Sequence, residues 1–319
     1  MPSVPVRVIR VVREAADVLS FTLAAVEGGR LPSFTPGAHI DVQIAPGLTR
    51  PFSLCNGPEA LDSYEIAVKK EVESRGGSAA MHLNVREGHI LHISKPRNNF
   101  PLDEAAKHCL LLAGGIGVTP LLSMARHLQA ARASFHLHYF SRSRSHVAFY
   151  DQLSSGALQR HATLHHALSP EDLEAFLGEL LVDRPEGAQI YMCGPAPFMA
   201  LVGKVASRTW PPDAIHLEHF KAAPEMRAHA DASFEVLLAR SGKTVAVPAG
   251  KTIVEALLAQ GTRIDTSCEQ GVCGTCVIDV VDGVPDHRDG YLSAKEKACG
   301  KHIVACVSRA RSPVLVLDL

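Results

Sequence analysis

The sequence lacks a surplus of positive charge. It has 32 Lys and Arg residues against 33 Asp and Glu residues, which gives a formal net charge of −1, and no block of basic residues stands out. A surface that binds nucleic acid must neutralise many phosphates. This charge balance therefore argues against nucleic acid as a partner.

Long hydrophobic runs are also missing. Arg7, Arg10, Arg13 and Glu14 interrupt the N-terminal segment, so it has no apolar core of the kind that a secretory signal requires. The uncharged stretch from Cys109 to Ala125 is shorter than a membrane span, and glycines and a proline break it. We therefore predict a cytoplasmic protein with no transmembrane helix and no membrane partner.

The usual arrangements of catalytic side chains are absent as well. Among 17 histidines, no pair combines the H-x3-H or H-E-x-x-H spacing of a zinc site with supporting carboxylates. No Ser-His-Asp or paired-carboxylate constellation is evident either. We therefore expect the chemistry of this protein to belong to bound cofactors.

The hydrophobic pattern changes near Leu102. Before it, short Val- and Ile-rich runs such as 39–44 and 64–69 alternate with turn residues, a spacing typical of a small antiparallel barrel. Beyond it, apolar strands, of which Leu110–Ala113 is the first, alternate with helical stretches that begin near Pro120. This alternation predicts a parallel sheet with helical crossovers.

A third region follows a segment without periodicity at 221–232, which we interpret as a linker. The runs 234–238 and 244–247 flank a turn and predict a β-hairpin. Thr252 and Glu255 then have the spacing of a capping box, which predicts that a helix starts there.

The most specific motif is a group of cysteines. Three lie within 268–276 at the spacing C-x4-C-x2-C, and a fourth follows 30 positions later, which is the plant-type pattern of a 2Fe-2S cluster. Gly271 and Gly274 suit a tight loop whose backbone amides approach the sulfurs. Buried structural cysteines are the alternative, which does not account for this spacing. The predicted metal ligands are Cys268, Cys273, Cys276 and Cys306.

These motifs carry a resemblance to a known family. Residues 234–319 resemble a plant-type ferredoxin, and nearly the whole chain is similar to the phthalate dioxygenase reductase family, which includes vanillate O-demethylase reductases. The resemblance implies a multidomain fold class: an antiparallel β-barrel flavin domain, an α/β parallel-sheet nucleotide domain and an α+β, β-grasp-like ferredoxin domain. The expected bounds are 1–102 for the FMN-binding barrel, 103–222 for the NAD-binding domain, 223–232 for the linker and 233–319 for the ferredoxin domain.

The flavin site is predicted from segments 50–56 and 75–78, the first of which resembles the family's R-x-[YF]-S-L strand. An arginine can grip a phosphate, an aromatic ring can cover a flavin face, and a hydroxyl can bond to the ring system. A short helix is predicted from Ala79 to Leu83, and free amides at a helix N-terminus can bind phosphate as well. By pattern alone, 50–56 also suits an edge strand with a surface arginine. The resemblance favours FMN over FAD and implies binding by Arg50, Phe52, Ser53, Ala67, Val68, Lys69, Gly76, Gly77 and Ser78.

The nicotinamide site is predicted from a glycine-rich turn at 114–120, between a strand and a helix. The turn departs from G-x-G-x-x-G, so by pattern alone a plain βα turn is an equal alternative. The resemblance implies that a second turn at 193–195 lies beside it and that both hold the nicotinamide against the flavin. The implied residues are Gly114, Gly115, Ile116, Gly117, Thr119, Pro120, Cys193, Gly194 and Pro195.

Four residues are candidates for the catalytic centre. The resemblance implies that Ser53, Thr119 and Phe220 lie close to the flavin, Phe220 as part of an E-x-F motif, and that Cys193 lies close to the nicotinamide. A small buried thiol is the alternative for Cys193. A plain strand end is the alternative for the motif around Phe220.

The function that the resemblance implies is electron transfer. NADH would give a hydride to FMN, and a flavin is needed because an iron–sulfur cluster accepts single electrons. The acceptor would be a separate Rieske-type oxygenase component of an aromatic-ring oxygenase or O-demethylase, since this chain carries no oxygenase motif. The alternatives are a reductase for a cytochrome or a separate ferredoxin, and a non-catalytic redox sensor.

Two indications of the preferred cofactor, NADH or NADPH, disagree. Ser141 and Arg142 follow the predicted strand 135–140, where no acidic residue is present to bind the ribose 2′-hydroxyl and where an arginine could hold the 2′-phosphate of NADPH. The resemblance favours NADH, and the family tolerates arginine at a similar place. We predict NADH, with Ser141 and Arg142 in the nucleotide site.

The fourth cluster ligand must be chosen between two cysteines. Cys306 lies in the apolar run 303–308, which reads as the start of an inward-facing strand, and its C-V-S-R-A sequence matches the family pattern. Cys299 ends a charged helical turn before Gly300, a setting that indicates partial exposure to solvent.

We expect Cys306→Ala to abolish or severely destabilise the cluster while NADH still reduces the flavin, because the flavin does not depend on this thiolate. Cys299→Ala should leave the visible cluster spectrum unchanged. Absorption spectra of the two purified variants measure both effects. Loss of the cluster in Cys299→Ala alone would reverse the assignment.

Overall fold

The chain folds into two units, Met1–Glu218 and His219–Leu319. The computed structural model describes residues 3–71, 76–221 and 232–319. Among these residues, the first unit contains a six-stranded and a five-stranded sheet, and the second unit contains a five-stranded and a two-stranded sheet. In the same part of the chain, no helix has both the length and the apolar character that a membrane crossing requires.

An antiparallel sheet forms the first part of the first unit. Its elements are β1 (Val4–Ala15), β2 (Val18–Ala25), β3 (His39–Ala45), β4 (Leu48–Ser53), β5 (Ser63–Lys69), the helix α1 (Gly77–Asn84) and β6 (Ile90–Ile93). The strand order is β4-β3-β6-β1-β2-β5, and each neighbouring pair is antiparallel. Leu54, just after β4, bridges Ile66 of β5 and joins the two edges, so the sheet closes as the sequence predicted.

The second sheet is parallel and carries its helices as crossovers. Its elements are β7 (His108–Gly114), α2 (Val118–Ala130), β8 (Phe135–Ser141), α3 (Tyr150–Ser154), β9 (Ala162–His166), α4 (Pro170–Leu180), β10 (Ala188–Cys193), α5 (Ala196–Ala206) and β11 (Ile215–Glu218). The strand order is β11-β10-β7-β8-β9, with every pair parallel. The chain direction across the sheet reverses between β7 and β10, and ligands of such sheets bind at the carboxyl ends beside that point.

Two helices start earlier than the sequence predicted. The start of α2 is Val118 rather than Pro120, and α1 starts at Gly77 rather than Ala79. Proline is tolerated in the first helical turn because the amides there have no intrahelical acceptor. Pro120 therefore lies inside the first turn of α2 and does not mark its beginning.

Hydrogen bonds from α2 tie the two sheets of the first unit together. Ser123 Oγ donates to the carbonyl of Asn56 at 2.8 Å, and Arg126 donates to the carbonyl of Cys55 at 2.7 Å. Arg126 also forms an ion pair with Glu65 of β5, in which both side chains are largely buried. Buried donors, acceptors and charges are costly to leave unpaired away from water. These contacts therefore fix α2 against the end of β4 and the edge strand β5.

The second unit contains a mixed sheet packed against a helix. Its elements are β12 (Phe234–Leu238), β13 (Thr244–Val247), α6 (Ile253–Ala259), β14 (Val277–Asp282), β15 (Pro285–Asp286), α7 (Ala294–Cys299), β16 (His302–Val304), β17 (Arg309–Ala310) and β18 (Val314–Leu317). The main sheet has the order β13-β12-β18-β14-β16, with β12 and β18 parallel. The predicted capping box is present, because Thr252 Oγ1 accepts from the amide of Glu255 and the Glu255 carboxylate accepts from the amide of Thr252.

Candidate functional site

The predicted cluster ligands lie together in the second unit. Cys268, Cys273, Cys276 and Cys306 are all buried, and Cys299 is exposed. The thiol of Cys268 is hydrogen-bonded with those of Cys273 and Cys306, and the thiol of Cys276 with that of Cys306. The structure therefore brings Cys306 to the three-cysteine loop. Its local setting differs from the prediction, because β16 ends at Val304 and Cys306 lies in the turn after the strand.

Backbone amides of the loop point at the sulfur of Cys268. The amide of Gln270 donates to Cys268 Sγ at 3.3 Å, and the amide of Val272 donates to the same thiol. Together with the hydrogen bonds from Cys273 and Cys306, which are the largest cause, these contacts lower the pKa of the Cys268 thiol. The thiolate is the form that binds metal. The pKa of the Cys276 thiol is lowered too, chiefly by its hydrogen bond with Cys306, whereas hydrogen bonds with Cys268 raise the pKa of the Cys273 and Cys306 thiols.

The two loop glycines are required by both conformation and space. Gly271 and Gly274 have φ values of 74° and 75°, a region that other residues rarely adopt. A Cβ on Gly271 would lie 2.6 Å from a methyl group of Val307, and one on Gly274 would run into the ring of Tyr291. Four gathered thiols with amides directed at sulfur are a donor set that fits a 2Fe-2S cluster.

The flavin strand β4 meets the N-terminus of α1. A Cβ on Gly77 would lie 2.6 Å from Cγ of Arg50, so the Arg50 side chain passes directly over the start of the helix. Gly76 precedes this helix, and Ser78 Oγ accepts from the amide of Glu71 at 3.2 Å. A guanidinium beside the N-terminal amides of a helix can form a cradle for a phosphate. Arg75 lies outside the described residues.

The other predicted flavin residues lie on the edges where β4 and β5 join. Ser53, Ala67 and Val68 are buried, whereas Phe52 is half-buried. Lys69 is half-buried too, and its Nζ donates to the Glu71 carboxylate at 2.9 Å. These side chains therefore line one seam of the barrel, beside Arg50 and α1.

The two glycine turns of the second sheet are in backbone contact. A Cβ on Gly117 would clash with the carbonyl of Cys193, and a Cβ on Gly194 would lie 3.0 Å from Cα of Gly114. The Cδ of Pro195 also lies 3.0 Å from the Cβ position of Gly114. The turns thus lie side by side at the carboxyl ends of β7 and β10, where the strand order reverses.

The glycine turn after β7 also lies against the flavin barrel. Residues Gly115–Gly117 form a 3₁₀ turn that contacts β5. Directly after this turn, Thr119 is buried and its Oγ1 donates to the carbonyl of Ile116 at 3.0 Å. Because β5 carries the predicted ring-binding residues, a nicotinamide at this turn would lie near the flavin seam.

Sequence reasoning missed an acid at the end of β11. Glu218 is the register partner of Cys193. Its Oε2 is buried and has no hydrogen-bond partner among the described residues, although the residue as a whole is half-buried. Burial raises the pKa of Glu218 to about 8, and burial, followed by the charge of Glu218, raises the pKa of the Cys193 thiol. The E-x-F motif was visible in the sequence, but only Phe220 was chosen from it. Phe220 belongs to the second unit, where it is half-buried.

A second missed acid lies beside the predicted ribose site. Arg142 is 72% exposed, and its guanidinium lies 3.4 Å from the carboxylate of Asp17. Ser141 Oγ donates to the carbonyl of Ser143 at 3.1 Å and lies 3.0 Å from Nδ1 of His166. Asp17 comes from the turn between β1 and β2, so a search limited to residues after β8 could not find it.

Family models match two of the three candidate sites. Residues 111–204 match the oxidoreductase NAD-binding domain, and residues 236–311 match the 2Fe-2S iron-sulfur cluster binding domain. A vanillate O-demethylase oxidoreductase of a Pseudomonas species is 44% identical over 306 residues, which are 96% of this chain and 96% of the relative.

Solved structures match over nearly the whole chain. Phthalate dioxygenase reductase, described as a modular structure for electron transfer from pyridine nucleotides to [2Fe-2S], aligns with a TM-score of 0.79 and 38% identity over 99% of this chain and 98% of that one. An intact type IV self-sufficient cytochrome P450 monooxygenase aligns with a TM-score of 0.82 and 35% identity over 99% of this chain but only 41% of that one.

These similarities confirm the predicted fold class, the oxidoreductase function and the cofactor set of NADH, FMN and a 2Fe-2S cluster. They also confirm the predicted relationship to reductases of oxygenase and demethylase systems. With 44% identity to a relative that it matches along almost its full length, the chain belongs to the phthalate dioxygenase reductase family.

Proposed function

We propose that this chain is the reductase component of a Rieske-type aromatic-ring oxygenase or O-demethylase and passes electrons from NADH through FMN and a 2Fe-2S cluster to that oxygenase. The observation that carries the proposal is the presence, on one chain, of four gathered cysteine thiols and of two touching glycine turns, of which the one after β7 lies against the flavin barrel. The names of the reductase relatives support the type of partner.

The domain bounds expected from the sequence are part of this proposal: 1–102, 103–222, the linker 223–232 and 233–319. They are supported by the matched segments 111–204 and 236–311. Only residue 232 of the linker lies within the described residues. A cytoplasmic location also belongs to the proposal, since reduced cysteines persist in a reducing compartment.

In the flavin site, the residues of this chain bind and orient FMN. Arg50 and the helix start at Gly76, Gly77 and Ser78 hold the FMN phosphate, and Phe52, Ser53 and the segment Ala67, Val68 and Lys69 hold the ring. Thr119 completes the surroundings of the ring within the first unit, and for Phe220 a place near the flavin is implied by the family resemblance alone. The bound flavin supplies the conversion of a two-electron hydride into single electrons.

In the nicotinamide site, glycines give the dinucleotide access to the backbone. The turn residues Gly114, Gly115, Ile116, Gly117 and Pro120 and the turn residues Gly194 and Pro195 allow the nucleotide to approach the carboxyl ends of β7 and β10. Cys193 excludes water there. Glu218, protonated at neutral pH, can donate a hydrogen bond from its carboxyl group beside Cys193. The cluster is held by Cys268, Cys273, Cys276 and Cys306.

The function is tested with the purified chain, NADH and candidate oxygenases. We expect NADH to reduce first the flavin and then the cluster under anaerobic conditions, and an oxygenase partner to form product only when the reductase is present. Absorption and electron paramagnetic resonance spectra follow each centre. Cys306→Ala is the control that should retain flavin reduction and lose product. A flavin that is fully reduced beside a cluster that stays oxidised contradicts the proposal.

A second candidate acceptor is a cytochrome. It is favoured by the similarity to part of a self-sufficient cytochrome P450 monooxygenase, where this length of chain is one portion of a longer protein. Rapid NADH-dependent turnover with a cytochrome P450, and none with Rieske oxygenases, would favour this acceptor.

The pair formed by Asp17 and Arg142 generates a prediction about nucleotide preference. Wild type should have a lower KM and a higher kcat for NADH than for NADPH. The reason is that the Asp17 carboxylate forms an ion pair with Arg142 and repels a 2′-phosphate. Asp17→Asn should shift the ratio of kcat/KM toward NADPH by about two- to fivefold, the range of an exposed ion pair. Asp62→Asn, at an exposed acid elsewhere in the first unit, is the control. An unchanged ratio in Asp17→Asn would remove Asp17 from this role.

The raised pKa of Glu218 generates a prediction about stability. The folded state keeps the proton up to a pKa of about 8, whereas the unfolded state releases it near the ordinary value of 4.5. Stability therefore falls as the pH rises between these values, by an amount of the order of a few kcal/mol. Glu218→Gln should lose this dependence, and its free energy of unfolding should exceed that of wild type most at pH 8. Urea titrations from pH 5 to 8 measure the free energy of unfolding, and Glu171→Gln, at an exposed acid, is the control. If the free energy of unfolding changes with pH in the same way for wild type and Glu218→Gln, the raised pKa of Glu218 is refuted.

A further inference from the structure

A fully buried carboxylate of the second unit has no part in the proposed electron transfer. Asp289 is 0% exposed and lies between β15 and α7. Its Oδ2 accepts from the backbone amides of Tyr291 at 3.1 Å and Leu292 at 2.8 Å. Its Oδ1 accepts from Ser308 Oγ at 3.3 Å. A buried charge is costly unless it is satisfied in this way, so the arrangement must offset a substantial desolvation penalty.

An ammonium and an imidazole also face this carboxylate. The ammonium of Lys297 lies 3.8 Å from Oδ2 and donates to the Asp289 carbonyl, and Nδ1 of His287 lies 3.7 Å from Oδ1. The adjacent Arg288 is engaged separately, because its Nε donates to Asp286 at 2.8 Å. Asp289 is therefore the centre of a network that joins the segment before α7 to α7 itself and to the turn after Cys306.

The residues held by Asp289 are the ones that cover the cysteine loop. Leu292 is 6% exposed and packs in one apolar cluster with Cys276 and Cys306. The ring of Tyr291 lies across Gly274, so closely that a Cβ there would come 2.7 Å from the tyrosine oxygen. Tyr291 is itself 39% exposed, which makes its ring the layer between that part of the loop and solvent.

The backbone beside Asp289 touches the loop directly. The amide of Gly290 donates to the carbonyl of Gly271 at 2.9 Å. A Cβ on Gly271 would lie 3.1 Å from Cα of Asp289. The conformation of the loop and that of the segment 289–292 are thus mutually dependent, and the Asp289 side chain is what closes the segment into a turn.

We propose that Asp289 is a positioning residue of the iron–sulfur site, whose carboxylate holds Tyr291 and Leu292 over the cysteine loop and so shields the cluster from water and solutes. The proposal rests on the assignment of the four cysteines as ligands under the proposed function. Its mechanism is local: without the carboxylate that accepts from the amides of Tyr291 and Leu292, the covering segment opens more often while the rest of the unit stays folded.

Two substitutions separate positioning from charge. Asn at 289 can present its amide oxygen to Tyr291 and Leu292 and its NH2 to Ser308, so Asp289→Asn keeps the turn but loses the charge. Asp289→Ala loses both. We expect Asp289→Ala to lose its visible cluster absorbance in excess chelator about tenfold faster than wild type, as loss of two buried hydrogen bonds implies. Asp289→Asn should stay close to the wild-type rate.

The reduction potential of the cluster supplies a readout that a purely structural role would not move. Removal of a buried negative charge near the cluster favours the reduced state, so the potential of Asp289→Asn should rise. Asp282→Ala, at an exposed acid of the same unit, is the control for both measurements. Tyr291→Ala removes the cover without touching the carboxylate and should also accelerate bleaching. If Asp289→Ala retains no cluster, the rate at which Tyr291→Ala loses its cluster absorbance tests the proposal instead.

Wild-type bleaching rates in both Asp289→Ala and Tyr291→Ala would overturn the proposal. It would also fail if Asp289→Asn bleached as fast as Asp289→Ala, because charge rather than position would then be responsible. Neither measurement uses NADH or an oxygenase, so failure of the electron pathway does not affect them. A purified wild-type chain without iron and sulfide would instead refute the cysteine assignment.

Discussion

The backbone contact between two glycine turns is the constraint on which the first unit depends. Gly117 lies against the Cys193 carbonyl, and Gly194 lies against Gly114, so the carboxyl ends of β7 and β10 can meet only without side chains between them. That meeting fixes where α2 begins, and α2 in turn binds the barrel through Ser123 and Arg126. The distance from the nicotinamide turn to the flavin strand is thus a consequence of close packing at a few atoms.

The two units handle buried carboxylates in opposite ways. Asp289 accepts hydrogen bonds from two amides and a hydroxyl, and the ammonium of Lys297 lies 3.8 Å from its Oδ2. Glu218 has a buried oxygen without a hydrogen-bond partner among the residues described, and desolvation raises its pKa to about 8. The first environment suits a group that must hold a loop in place. The second suits a group that exchanges or shares a proton beside a cofactor.

The sites also differ in whether side chains or the backbone would bind the cofactor. The proposed cluster ligands are four thiols, three of them in one short loop, and this chemistry is conspicuous in a sequence. The proposed flavin and nicotinamide sites depend largely on backbone amides and on the absence of a Cβ at Gly77, Gly117 and Gly194. Glycines have many other uses, so those sites needed the family resemblance before they could be predicted.

The sequence by itself determined the order of the three regions, the cysteine pattern and local signals such as the capping box of Thr252 and Glu255, because each depends on residues close together in the chain. Helix starts were off by two residues, since glycine or proline can occupy a first helical turn. Only the tertiary structure decided that Asp17 meets Arg142, which is 125 positions away. The pKa of Glu218 and the cover over the cysteine loop were likewise decided by packing. Periodicity and spacing report local geometry, whereas charge pairing, desolvation and shielding depend on which distant segments are brought into contact.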